Sequence, residues 1–223
     1  MGSTITLSAI DGFTLKAYRA DPEGDARGGI VVIQEIFGVN DHIRSVADGY
    51  AAQGYSVIAP QLYDRSAPDI ELGYTQGDVQ KGRDIRVEIG FDKPLLDLQA
   101  AVSLLKSEGL AVGTVGYCYG GALAWRSAAK LDGLSAAIGY YGGAATFKDE
   151  APECPVLLHY GEKDAMIPST DGAMLADLYP KMVEAFVYPA DHGFNCDQRA
   201  SYDGPSAALA LERSLSFFQD YIG

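Results

Sequence analysis

The sequence predicts an α/β protein: a mainly parallel central sheet with helices packed on both of its faces. Three observations carry that expectation. Short runs such as Ile30-Val31-Val32-Ile33 are apolar without alternation, as strands buried on both faces are. Segments of helical periodicity separate these runs regularly, the pattern of strands joined by crossover helices. No repeat or low-complexity tract breaks the alternation, so residues 1–223 read as one domain.

Taken in order, residues 5–8 and 13–19 form a hairpin joined at Asp11-Gly12, a pair suited to tight turns. Residues 30–33 are a strand. A helix over 41–53 follows, capped by Asn40 or Asp41 and stopped at Gly54. The next strand, 55–59, is broken by Pro60. Residues 61–77 are irregular and acidic, a long loop bordering a site rather than a linker. Helices are expected over 78–90 and 93–107, then a strand over 112–117 and a helix over 122–131. Further strands fall at 136–141, 156–160 and 184–188, and further helices at 170–178 and 206–221.

Composition narrows the classes of partner. Hydrophobic residues make up 48% and charged residues 21%, the balance of an ordinary soluble enzyme. Thirty acidic residues against 17 basic give a formal charge of −13, a field that opposes nucleic acid and anionic membranes. No apolar stretch approaches the roughly 20 residues that cross a bilayer. The N-terminus has no secretory pattern, and Cys118, Cys154 and Cys196 show no CxxC spacing. The expectation is a cytoplasmic protein without a disulfide framework or a zinc site. Its partner is a small molecule, and its state is monomeric or a weak homo-oligomer.

Gly116-Tyr117-Cys118-Tyr119-Gly120 lies between the 112–117 strand and a helix. This is the nucleophile-elbow pattern, with cysteine in the place usually taken by serine. The flanking glycines allow a strained strand-to-helix turn in which side chains would collide. A thiol nucleophile needs a base, and the chain has three histidines. His159 sits inside an apolar strand and reads as a structural histidine bonded within the fold. His42 starts a helix and reads as a polar helix-end residue. His192 follows the 184–188 strand, so it emerges at the same carboxyl edge of the sheet as the elbow. Asp164 follows the 156–160 strand and can hold the imidazole; Glu162, earlier in the turn, is the alternative. Cys118, Asp164 and His192 thus occur in the order nucleophile, acid, base of an α/β-hydrolase.

The oxyanion hole is expected from the Tyr119 amide and from Ile36 or Phe37, in the loop after the first parallel strand. Glu35 in that loop is a carboxylate at the end of a buried strand, which demands a partner and opposes thiolate formation nearby. Cys196 reads as a packed loop thiol, with a redox partnership with Cys118 as the alternative; Cys154 reads as structural.

Four segments resemble the dienelactone hydrolase (carboxymethylenebutenolidase) family: Gln34-Glu35-Ile36-Phe37-Gly38-Val39-Asn40, Ala59-Pro60-Gln61-Leu62-Tyr63, Gly116-Tyr117-Cys118-Tyr119-Gly120-Gly121 and Ala190-Asp191-His192-Gly193-Phe194. The likeness runs over nearly the whole chain. It implies conversion of a dienelactone to maleylacetate in the degradation of chlorinated aromatics, with Cys118, Asp164 and His192 as the triad and no cofactor. It also implies that Glu35 holds the resting thiol until substrate frees it to deprotonate the cysteine. Two arginines of the family bind the substrate carboxylate. One of those positions is Cys196 here, leaving Arg199 as a substitute; Lys81, Arg83 and Arg86 are candidates for the other. The competing readings are a broad carboxylesterase or thioesterase and a thiol redox protein.

Overall fold

The computed structural model describes residues 2–223. Eight strands form one sheet in the order β1-β2-β4-β3-β5-β6-β7-β8. The antiparallel hairpin β1 (Ser3–Ser8) and β2 (Thr14–Ala20) lies at one edge, and β2 also pairs antiparallel with β4 (Ser56–Pro60). From β4 onward every pairing is parallel, through β3 (Gly29–Ile33), β5 (Val112–Tyr117), β6 (Ala136–Tyr140), β7 (Val156–Gly161) and β8 (Val183–Tyr188). All residues of β3, β5 and β6 are buried, which explains why their sequences show no alternation.

Both faces are covered, and the side chains of a single strand divide between them. Ile30 and Val32 of β3 join Ile43 and Tyr50 of α1 (Asp41–Ala52) and Phe218 of α6 (Gly204–Ile222). Val31 and Ile33 face the opposite cluster, with Leu98 and Leu105 of α3 (Asp92–Ser107) and Leu123 of α4 (Tyr119–Lys130). Ile85 and Ile89 of α2 (Gln76–Ile89) extend that second layer, and α5 (Thr170–Leu178) packs over β7 and β8, with Leu175 buried. Among the described residues no helix is long and apolar enough to cross a membrane.

Several boundaries differ from the sequence reading for local reasons. Helix α2 starts at Gln76, not 78, because Thr75 and Asp78 form a reciprocal capping box. Helix α4 starts at Tyr119, directly after the elbow, rather than at 122. Helix α6 starts at Gly204, where the Asp203 carboxylate accepts from the Ser206 N–H and Pro205 suits the first turn. Pro60 completes β4 rather than breaking it, opposite Ala17. The α1 cap is Asn40, whose side chain accepts from the Ile43 N–H. Two short 3-10 turns, Leu62–Arg65 and Ala144–Phe147, carried no sequence signal.

This topology places the site. The chain leaves β3 toward β4 on one side and leaves β5 toward β6 on the other. The loops after β3 and β5 therefore diverge at the carboxyl edge and open a crevice between them.

Candidate active site

Cys118 occupies the turn from β5 into α4 with φ +55° and ψ −111°, a conformation that costs a non-glycine residue about 1–3 kcal/mol. Its N–H donates to the Tyr140 carbonyl (3.0 Å), which ties the turn to the neighbouring strand. The glycines are required by contact: a Cβ on Gly116 would overlap the Gly120 carbonyl. One on Gly120 would sit 2.6 Å from the Gln34 oxygen.

The loop after β8 brings His192 to the thiol, with Nε2 at 3.2 Å from Cys118 Sγ. The other ring nitrogen, Nδ1, is 2.7 Å from Asp164 Oδ2. Asp164 is itself fixed, because its Oδ1 accepts from the Met166 N–H (2.8 Å) and the Ile167 N–H (3.0 Å). Glu162, the alternative acid, is exposed and takes no part in this chain of bonds, whereas Asp164 is buried. Tyr141, at φ +38°, sets its ring edge against His192 with centroids 5.2 Å apart.

Electrostatics follow from these partners. Burial opposes charge on His192, yet its bonds to Asp164 and Cys118 outweigh burial and push it up to about 10. Burial likewise raises Asp164, but the His192 bond and charge and the two amides hold it below the ordinary carboxylate value. Glu35 differs. It is 1% exposed, neither carboxylate oxygen has a hydrogen bond, and burial raises it against the charges of His42, Arg199 and His192. The thiol therefore faces an Asp164-anchored imidazole, not Glu35 as the resemblance implies for a resting enzyme.

A cavity of about 340 Å³ opens on Cys118 and His192. Ile36, Phe37 and Tyr119 line it, and among the described residues no backbone acceptor takes the Ile36 or Tyr119 N–H. Arg83 and Arg86 of α2 and Arg199 also line it. Lys81 does not: it lies about 200° around the helix from Val79, on the exposed face. Arg83 and Arg86 form no ion pair among the described residues, while Arg199 Nη1 lies 3.7 Å from Glu35 Oε1. Helix α2 can come this close because residue 82 is glycine; a Cβ there would overlap the Ile36 carbonyl.

His159 is fully buried between the Tyr188 hydroxyl (2.8 Å) and Ser214 Oγ (3.0 Å), a structural role. His42 begins α1, but its ring is 2% exposed rather than a surface cap. Cys196 is buried, and its thiol donates to the Tyr74 hydroxyl at 3.3 Å; all three cysteines are free. The sequence reading missed Tyr141, although the Gly142-Gly143 pair after it marked an unusual exit from β6.

A mainly parallel sheet with a positive-φ strand-to-helix elbow, and with an acid and a histidine from loops after later strands, defines an α/β-hydrolase. The dienelactone hydrolase family model matches residues 15–222. The carboxymethylenebutenolidase of Pseudomonas putida is 34% identical over 224 residues, covering 96% of this chain and 94% of that one. A provisionally assigned carboxymethylenebutenolidase of Synechocystis sp. is 35% identical and covers 85% of each chain. Among solved structures, a provisionally assigned dienelactone hydrolase from Klebsiella pneumoniae superposes with a TM-score of 0.84. It is 30% identical, over 98% of this chain and all of that one. The chain belongs to the dienelactone hydrolase family and is an ester-bond hydrolase.

Proposed function

We propose that the protein hydrolyses a small anionic lactone or activated ester by covalent catalysis at Cys118. The observation that carries this reading is the unbroken chain Asp164–His192–Cys118, with links of 2.7 and 3.2 Å. His192, 3.2 Å from the sulfur, takes the thiol proton, and the thiolate sulfur attacks the ester carbonyl. The Tyr119 and Ile36 amides hold the developing oxyanion, where their fixed dipoles require no reorganisation. His192 then returns its proton to the leaving alkoxide, which in a lactone stays tethered to the acyl group. Water, deprotonated by His192, cleaves the thioester and restores the thiol. Asp164 holds the imidazole tautomer and stabilises the imidazolium throughout.

Charge argues for an anionic substrate. The chain is strongly acidic, yet the cavity gathers Arg83, Arg86 and Arg199 beside the thiol. Guanidinium groups offer paired donors to a carboxylate, and among the described residues no carboxylate pairs with Arg83 or Arg86. Arg199 is drawn to Glu35, so an incoming carboxylate competes for it and alters the surroundings of that buried acid. Of the family's substrates, a dienelactone carries the required ring ester and carboxylate together.

The test compares hydrolysis of cis- and trans-dienelactone with that of p-nitrophenyl acetate, in the native protein and in Cys118→Ala. The reading expects a higher kcat/KM for the carboxylated lactone and loss of both activities in the variant. Retained turnover in Cys118→Ala would overturn the nucleophile. Equal kcat/KM for the two substrates would favour a broad esterase.

A further inference from the structure

Separate from the Cys118–His192–Asp164 chain, three buried side chains of ligating type converge. They are Glu35 from the loop after β3, His42 from the first turn of α1 and Cys196 from the turn after His192. One ligating atom of each lies within 4.8 Å of the others. Their exposures are 1%, 2% and 0%. Among the described residues, both Glu35 oxygens and His42 Nε2 lack a hydrogen-bond partner. Buried polar groups left in this condition are costly, and three of one kind in one place call for a common partner. We infer that Glu35, His42 and Cys196 form a site for a borderline-soft divalent cation of the zinc type, with Asp197 positioning the His42 ring.

The donor set is the first argument. Carboxylate oxygen, imidazole nitrogen and thiolate sulfur together suit Zn²⁺, which has no preference that penalises a mixed tetrahedral shell. Three protein ligands leave the fourth position to water. A Glu35 carboxylate and a Cys196 thiolate cancel the two charges of the ion, a condition for holding it in a buried place. Arg199 is only 3.7 Å from Glu35 Oε1, but its side chain is 22% exposed and can turn outward.

The second argument is the surroundings of His42. Asp197 Oδ1 stands 3.4 Å from Nδ1, leaving Nε2 as the nitrogen without a partner. A carboxylate on the far nitrogen is the usual orienting partner of a metal-bound histidine. Access is the third. His42 and Asp197 both line a groove of about 500 Å³ between α1 and α6, distinct from the substrate cavity. The acidic field of the protein concentrates cations at its mouth.

Ligands around tetrahedral zinc sit roughly 3–4 Å apart, so binding draws these three together by up to about 2 Å. The ion replaces the Cys196 thiol proton, which passes to solvent, and no group changes oxidation state. An ion held there also fixes Glu35. Binding of the ion does not depend on any part that Glu35 plays in turnover.

Cobalt(II) is the probe, because thiolate coordination gives it a charge-transfer band in the near ultraviolet. Cys118→Ser serves as the background, so that the elbow thiol cannot contribute. The inference expects a saturable band at one ion per chain, displaced by Zn²⁺ and absent in Cys118→Ser/Cys196→Ser. In the same background, His42→Gln should abolish the band. Asp197→Asn should keep it while weakening affinity about 10- to 100-fold. Circular dichroism establishes that each variant is folded. A folded Cys118→Ser protein without the band, or a band that persists without Cys196 or without His42, would overturn the site. None of these readings depends on turnover, so they stand apart from the test of the nucleophile.

Discussion

His159, inside β7, and His192, in the loop after the neighbouring β8, are both buried and both bonded through each ring nitrogen. Their protonation is driven in opposite directions. His159 meets two hydroxyls, with Arg213 nearby; burial and that positive charge push it down to about 3. His192 meets a carboxylate and a thiol, which overcome burial and push it up to about 10. Burial alone therefore yields a neutral structural histidine. A charged or ionisable partner instead raises the same side chain's affinity for a proton.

The sharpest way to break this comparison is to remove the acid. Asp164→Asn keeps the shape but takes away the negative charge and offers the wrong tautomer partner. Steady-state kinetics should show kcat falling by about 10³- to 10⁴-fold, with KM little changed. A loss under tenfold would mean that His192 does not depend on Asp164. The corresponding change at the other histidine should leave chemistry almost untouched. In His159→Leu, Ser214 keeps Tyr140 and Tyr188 keeps Arg213, so each hydroxyl retains one partner. Turnover should stay within threefold of the native value, while thermal melting reports a stability loss of about 1–3 kcal/mol.

A smaller effect tests the arginine lining. Arg86→Gln should raise KM for a carboxylated lactone by about 10-fold, equivalent to about 1.4 kcal/mol of lost charge-assisted bonding. It should leave KM for p-nitrophenyl acetate within a factor of two. Equal changes for both substrates would place Arg86 outside anion recognition.

The mildest prediction concerns pH and stability. His159 is depressed when folded, so the unfolded chain binds the extra proton between about pH 3 and 6.5, and stability falls as pH drops through that range. His192 is raised when folded, so its contribution is complete below about pH 6.5 and declines as pH climbs toward 10. Asp164, depressed, contributes above its ordinary value and loses that contribution only as pH falls below it. Melting curves of His159→Leu should therefore flatten the acid limb and those of His192→Gln the alkaline limb. The reverse pattern would contradict both assignments.

The fold was legible where one residue type has one physical meaning. Runs such as Val112–Tyr117 announced strands buried on both faces, and Gly54 announced a helix end. The order Cys118, Asp164, His192 was legible for the same reason, because each follows a strand that ends at one edge of the sheet. What lay beyond the sequence depends on rotation and reach. Nothing in the residues 78–86 distinguishes Lys81 from Arg83 and Arg86; only the seating of α2, allowed by Gly82 against Ile36, turns two toward the cavity and one away. His42 looked like a surface cap because its position in α1 is visible while the burial of that helix's first turn is not. The convergence of His42 with Glu35 and Cys196 joins residues 154 or more positions apart at its extremes, a contact that only the folded chain makes.

The central claim is that Cys118 becomes covalently acylated during turnover. Rapid quenching in acid during the burst phase with p-nitrophenyl acetate, followed by peptide mass spectrometry, tests it most directly. The account predicts an acetyl group on the peptide containing Cys118, formed and lost at rates that match turnover. Continued turnover with Cys118 unmodified at every quench time, or acetyl transfer to another residue at the turnover rate, would contradict it.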